Sequence, residues 1–265
     1  MTTHELDSAG TQPTLRFVDR VNPVTRLAAA MVLTTPLLLT VDWVSAAIAL
    51  GIQLVLFALA GVTPAVLVRR TWPILIAAPV AGLSMLLYGE PSGTVYWELW
   101  LARITDGSIQ LAIAVTVRVL AIGLPAALLF MRVDPTDLAD GLAQIARLPA
   151  RFVLGALAAT RLVGLFVEDW RAMSLARRAR GIGDHGAIRR AATMAFALLV
   201  LAIRRGSKLA TAMEARGFGA DTARTWARRS RVGAPDAVLL VLAAAIAVVA
   251  IAGSIWAGTF HPVWA

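Results

Sequence analysis

Two short stretches of this chain carry the same pattern of residues suited to molecular recognition. Ala176 to Gly181 and Ala212 to Gly217 both read A-x-x-A-R-G, 36 residues apart. Alanine and arginine favour helix, and a following glycine supplies the left-handed residue on which many helices end. Each copy therefore predicts a helix C-terminus with Arg180 or Arg216 as its last exposed side chain. The helix dipole favours a cation at that position, and a guanidinium can offer a two-pronged fork to a carboxylate on another protein. The chemistry implied is docking, performed twice by one chain.

Residues for covalent or metal chemistry are sparse. The chain has no cysteine, so disulfides, thiolate metal sites and cysteine nucleophiles are excluded. His4, His185 and His261 are too far apart in sequence, and on different sides of the expected membrane, to assemble a metal site. Asp134, Asp137, Glu168 and Asp169 are the carboxylate groupings of note. Helix capping or pairing with arginine accounts for them, and neither H-E-x-x-H nor G-x-S-x-G occurs. Gly181 to Gly186 spells G-x-G-x-x-G, but it follows a helix rather than a strand, which makes it a loop rather than a dinucleotide site.

The elements that must position these arginines are those of a membrane protein. Of 265 residues, 58% are hydrophobic and 15% charged, with a mean hydropathy of +0.74. Apolar runs predict spans at about 26–42, 44–67, 72–88, 109–131 and 236–257, by the rule of roughly 20 apolar residues per crossing. Trp43, Trp72, Trp97, Trp100, Trp256 and Trp264 fall near their ends or in the loop after the third. The first span contains Pro36 and is followed by Asp42, which predicts a tight hairpin with the second. Arg118 lies inside the fourth span and is expected to face the protein interior or to snorkel to the membrane surface.

Orientation follows from the basic residues. Arg16, Arg20 and Arg26 precede the first span, Arg69 and Arg70 follow the second, and Arg132 follows the fourth. Between Gly89 and Gly107, by contrast, Glu90, Glu98 and Asp106 face only Arg103. The positive-inside rule then puts the N-terminus and the stretch from Arg132 to Arg231 in the cytoplasm. That stretch holds 18 basic and 8 acidic residues, which accounts for the whole net charge of +9. The excess is thus a feature of topology, and no nucleic-acid motif accompanies it. Helices are predicted at about 135–147, opened by Asp134-Pro135 and stopped by Leu148-Pro149, then at 151–180 and 187–216. The first halves of the last two are apolar, but crossing would put Arg177, Arg178, Arg180, Arg189 and Arg190 outside, so both are expected to stay cytoplasmic or interfacial. Arg161 and Glu168 share a helix face, and Glu168 with Arg171 forms a local i,i+3 pair.

The expected architecture is an all-α integral membrane protein of about five transmembrane helices, with a cytoplasmic or interfacial helical domain between the fourth and fifth. Its parts are residues 1–131, 132–231 and 232–265.

These residues resemble the transmembrane coupling, or T, component of energy-coupling factor transporters. Asn22-Pro23-Val24-Thr25-Arg26-Leu27 is similar to that family's D-P-R-x-K-L, with Asn for Asp and Arg for Lys. Pro135-Thr136-Asp137-Leu138, Gly141-Leu142 and Pro149 resemble the stretch leading into its coupling helices. Arg161-Leu162 with Glu168 resembles R-F-x-P and a following Glu, with Leu162 for the Phe and Gly164 for the Pro. The two A-R-G motifs, Ala179-Arg180-Gly181 and Ala215-Arg216-Gly217, match the family's signature.

The resemblance implies a non-catalytic subunit in a bacterial or archaeal plasma membrane. Its partners would be two ATP-binding-cassette subunits, which carry the ATP and magnesium, a separate substrate-binding S component, and the lipid bilayer. Nucleic acid is not expected. The A-R-G residues would dock the ATPases, with Arg161, Glu168 and Pro149 supporting the coupling helices, and the cargo would be a vitamin or a transition-metal ion. No cofactor or metal is expected in the chain itself. Two other readings are an integral membrane enzyme acting on lipid, which lacks catalytic groups, and a protein anchored at the lipid surface without a motor.

Overall fold

The computed structural model describes residues 19–40, 42–89, 92–99, 102–131, 133–181, 186–219 and 225–260. All three histidines, most of the Gly181–Gly186 loop, and Arg16, Glu90, Trp100, Arg132 and Trp264 lie outside these. The chain divides into two compact units, one made of residues 1–134 and 231–265 and the other of residues 135–230.

In the first unit α1 spans Pro23–Leu38, α2 Trp43–Leu59, α3 Pro64–Tyr88, α4 Asp106–Phe130 and α8 Ala234–Trp256. Local chemistry sets their starts. Asn22 caps α1 by accepting from the Val24 N–H at 3.0 Å, with Pro23 at the first helical position. Asp42 caps α2 by accepting from the Ser45 N–H at 2.7 Å and its hydroxyl at 3.0 Å. Thr105 and Ser108 form a reciprocal capping box on α4. The core where α1, α2, α4 and α8 meet contains Leu33, Leu37, Ala49, Ala121, Ile246 and Ala250. Small residues permit close approach: a methyl group on Gly82 of α3 would lie 2.0 Å from Thr116 Oγ1 of α4. One on Gly253 of α8 would lie 2.4 Å from Ile48.

A polar hub ties helix starts together. The Asn22 N–H donates to Asp236 Oδ1 at 2.8 Å, and the other carboxylate oxygen accepts from the Gly233 N–H at 2.7 Å. The Asn22 amide donates to the Arg231 carbonyl at 3.2 Å. Buried Arg26 donates to the Val21 carbonyl at 3.1 Å and directs a second nitrogen at the Leu129 carbonyl, 3.5 Å away. The Asn-Pro-x-x-Arg motif thereby joins the starts of α1 and α8 to the end of α4. Arg118 faces inward, as expected, and donates to the Asp42 carbonyl at 3.1 Å.

The second unit contains α5, Pro135–Gln144, α6, Ala150–Ala179, and α7, Ala187–Ala215. Gln144 donates to the Arg228 carbonyl and accepts from the Ser230 N–H, both at 2.9 Å, and Arg228 pairs with Asp137 at 3.5 Å. These bonds return the stretch after α7 onto α5. By contrast, α6 buries only Val153 and α7 only Met194.

The all-α membrane fold is present, and the structure changes several details. Helices α3, α4, α6 and α8 are long and apolar enough to cross a membrane, whereas α1 and α2 are shorter apolar helices of 16 and 17 residues. At about 1.5 Å per residue the latter two reach about 25 Å, short of a hydrocarbon core of about 30 Å. Helix α6, expected to stay cytoplasmic or interfacial, also meets both criteria by length and composition, through an apolar window that contains Arg151 and Arg161 and precedes Glu168 and the arginines of its last turns. The run 44–67 is two elements. A turn with Gly61 at φ +76° and Thr63 ahead of Pro64 ends α2 and starts α3. Arg69, Arg70 and Trp72, expected outside or at the boundary of a span, consequently lie on α3.

Two further corrections concern the loops. The loop between α3 and α4 contains an antiparallel hairpin, β1 Val95–Leu99 and β2 Ala102–Thr105. Helix α5 ends at Gln144 rather than at 147. Arg147 then turns at φ +54° and Pro149 becomes the N-cap of α6.

Candidate docking site at two helix ends

Both A-R-G motifs form helix ends of one design. In α6 the last helical residue is Ala179, the cap is Arg180 at φ −89°, ψ 4°, and Gly181 follows at φ +71°. In α7 the corresponding residues are Ala215, Arg216 at φ −91°, ψ 11°, and Gly217 at φ +79°. The N–H of Gly181 donates to the Arg178 carbonyl at 3.0 Å, and that of Gly217 to the Glu214 carbonyl at 2.9 Å. At the second end the Phe218 N–H also donates to the Met213 carbonyl at 2.9 Å, which completes a Schellman motif. The glycines are required by backbone conformation alone, since a methyl group on either would meet no atom within 4 Å.

Both helix ends are open to their surroundings. Ala179, Arg180, Gly181, Ala215, Arg216 and Gly217 are all exposed. Among the described residues neither arginine side chain has a hydrogen bond or an ion pair. A guanidinium standing free at a helix C-terminus retains all five donors for a partner. Among the described residues, no three His, Asp or Glu side chains gather to hold a metal ion.

The residues expected to support these helices divide differently. Pro149 opens α6, its carbonyl accepting from the Phe152 N–H at 3.0 Å. Arg161 and Glu168 are exposed, and among the described residues neither has a partner, so the expected Glu168–Arg171 pair is absent. The carboxylate that pairs is its neighbour Asp169. It receives a two-pronged contact from Arg205 of α7, with Nη1 on Oδ2 and Nη2 at 3.2 Å from Oδ1. One residue is 100° around a helix, which turns Asp169 toward α7 and Glu168 away. Sequence reasoning also passed over Asp236 and gave Asn22 and Arg26 little weight. An Asp three residues into an apolar helix, behind Gly233 and Pro235, is the signal that identifies the former as a cap.

Exposed apolar side chains line the same two helices. Val163 of α6 is 59% exposed and Phe196 of α7 68%, with Leu165, Val167, Leu199 and Ile203 similarly open. Between α5 and α6 lies an apolar groove of about 360 Å³, lined by Leu138, Leu142, Phe152 and Leu157 among others. Such surface is stable only against lipid or protein.

Comparison with known proteins places the chain in a family. Residues 15–226 match the CbiQ family, described as cobalt transport protein, a range that contains both A-R-G motifs. The energy-coupling factor transporter transmembrane protein EcfT of Limosilactobacillus fermentum is 28% identical over 168 residues, 59% of this chain and 63% of that protein. The protein of the same name from Brevibacillus brevis is 24% identical over 249 residues, 89% of this chain and 94% of its own length. That from Bacillus selenitireducens is 29% identical over 168 residues, 59% of this chain and 63% of its length. The chain thus spans just under two thirds of the Limosilactobacillus and Bacillus proteins and nearly all of the Brevibacillus one. With its long apolar helices, the chain is a multi-pass membrane protein, and it belongs to the CbiQ cobalt transport protein family.

Proposed function

We propose that this chain is the transmembrane coupling subunit of an ATP-driven importer of the energy-coupling factor type. Arg180 and Arg216 dock two ATP-binding-cassette subunits, and α6 and α7 pass their closure to a separate membrane S component that holds the cargo. The observation that carries this reading is the pair of matching helix ends. Two like cationic ends on one chain suit two like partners, and each arginine stands exposed with no partner of its own among the described residues. Hydrolysis of ATP, with its magnesium, belongs to those partners. The N-terminus and residues 132–231 face the cytoplasm, where the ATPases and ATP reside, which is the side the arginine distribution favours.

The cargo is a vitamin or a transition-metal cation, chosen by the S component. The family's description as cobalt transport and the relatives' names as energy-coupling factor subunits favour this class. The exposed apolar side chains of α6 and α7 are the surface on which the S component and lipid compete. In proteoliposomes containing the whole transporter, replacing both Arg180 and Arg216 by Ala should leave ATP hydrolysis uncoupled from uptake. Uptake per ATP equal to wild type would refute the reading.

A further inference from the structure

An apolar run precedes both A-R-G motifs at the same offset. Aligned at the same offset of 36, Leu162 to Val167 lies over Leu198 to Ile203, both apolar, and the residues that follow are Glu168-Asp169 in one copy and Arg204-Arg205 in the other. The two copies therefore agree in apolar run and in terminal motif but carry opposite charge at the same place. The structure gives that inversion a partner contact. Asp169 and Arg205, at matching positions, form the two-pronged, partly buried ion pair between α6 and α7.

At this contact a residue meets its own counterpart at the offset of 36. Identical residues there would set like charge against like. Counterpart positions can form an ion pair only if they carry opposite signs, as Glu168-Asp169 and Arg204-Arg205 do. From this pair each arm runs 11 residues to its arginine, Asp169 to Arg180 and Arg205 to Arg216. That is about 16 Å of helix on each side.

We propose that Asp169 and Arg205 form the pivot of the coupling helices: a positioning pair that fixes a common origin for two equal arms and so sets the spacing of the two docking arginines. The pivot rests on the docking reading above and adds to it the residues that hold the arms together. A two-pronged arginine–carboxylate contact restrains orientation as well as distance, so the arms change angle without sliding past one another. Sliding by one helical turn would move one arginine about 5 Å relative to the other, and one of the two docking contacts would then be lost.

The test uses the full-length chain, which has no native cysteine, with spin labels on Leu175→Cys and Thr211→Cys, two exposed positions related by the same offset. Interlabel distances are measured by pulsed electron resonance in nanodiscs, and ATP-binding-cassette subunits recovered per tagged chain are counted from the same membranes. Asp169→Asn and Arg205→Gln should each broaden the distance distribution and lower recovery by at least about fivefold, the scale of a modest coupling free energy. The exchanged pair, Asp169→Arg with Arg205→Asp, should narrow the distribution again and restore recovery to within about twofold. Arg205→Lys, which keeps the charge, should keep the mean distance while broadening it. Unchanged distances in both single variants, or an exchanged pair no better than either single, overturns the pivot. If distances respond while recovery stays at wild type in every variant, including one lacking Arg180 and Arg216, the pivot stands and the docking reading fails.

Discussion

The two units of this chain use their polar residues in opposite ways. In the first, a set of charged and polar groups is buried and hydrogen-bonded: Asn22, Arg26, Asp42 and Asp236 are each at most 9% exposed, and each has a bonding partner. In the second, the basic residues are turned outward and its two long helices bury one residue apiece. A buried hydrogen-bonded charge holds a fold in one arrangement, and removing its partner is costly. An exposed cation contributes little to folding and is available to another molecule. The first unit is accordingly the anchor, and the second is the part whose surface was left for partners.

Substitutions that remove polar groups should therefore separate stability from assembly. The largest loss of stability is expected for Asp236→Ala, which orphans the Asn22 and Gly233 N–H groups. At about 1.5–3 kcal/mol for a hydrogen bond to a charged group, a loss of about 3 kcal/mol follows, visible as a large fall in the melting temperature of the detergent-purified chain. Next comes Gly82→Val. Its side chain would drive into Thr116 and the Ala112 carbonyl, 3.0 Å from a mere methyl group, and separate α3 from α4. Overpacking of this kind costs about 1–3 kcal/mol, read by the same melt.

Gly217→Ala is milder, because the added methyl group meets nothing and only the left-handed backbone opposes it. A cost of about 1 kcal/mol is expected, with recovery of ATPase subunits falling further than stability. The smallest effect on the melt belongs to Val163→Ser and Phe196→Ser on the open faces of α6 and α7, within about 0.5 kcal/mol. If those two destabilise the isolated chain as much as Asp236→Ala does, the contrast between the units collapses.

How much of this was legible in the sequence depended on the range over which each feature is determined. The A-R-G ends were legible because a helix end is set by a few adjacent residues: alanines that favour helix, then a glycine that takes positive φ. The all-α membrane fold was legible from composition for the same reason. The turn at Gly61 to Pro64 was not seen, because Val62 and the apolar residues around it keep the run hydrophobic across a true break. The strand around Trp97 was not seen, since five residues of strand and of loop look alike by type.

Which carboxylate pairs across the two helices was not legible locally. Glu168 and Asp169 are chemically alike, and only the packing of α6 beside α7 decides which of them meets Arg205. The Asn22–Asp236 bond joins residues 214 apart, a pairing that no local pattern announces.

The central claim, that two helix ends of one chain hold two motor subunits, is tested most directly by counting them. The tagged full-length chain, purified gently from membranes that contain the whole transporter, should carry two ATP-binding-cassette subunits per copy, and the variant with both Arg180→Ala and Arg216→Ala should carry none while keeping its melting temperature. Two subunits retained by that double variant would contradict the account.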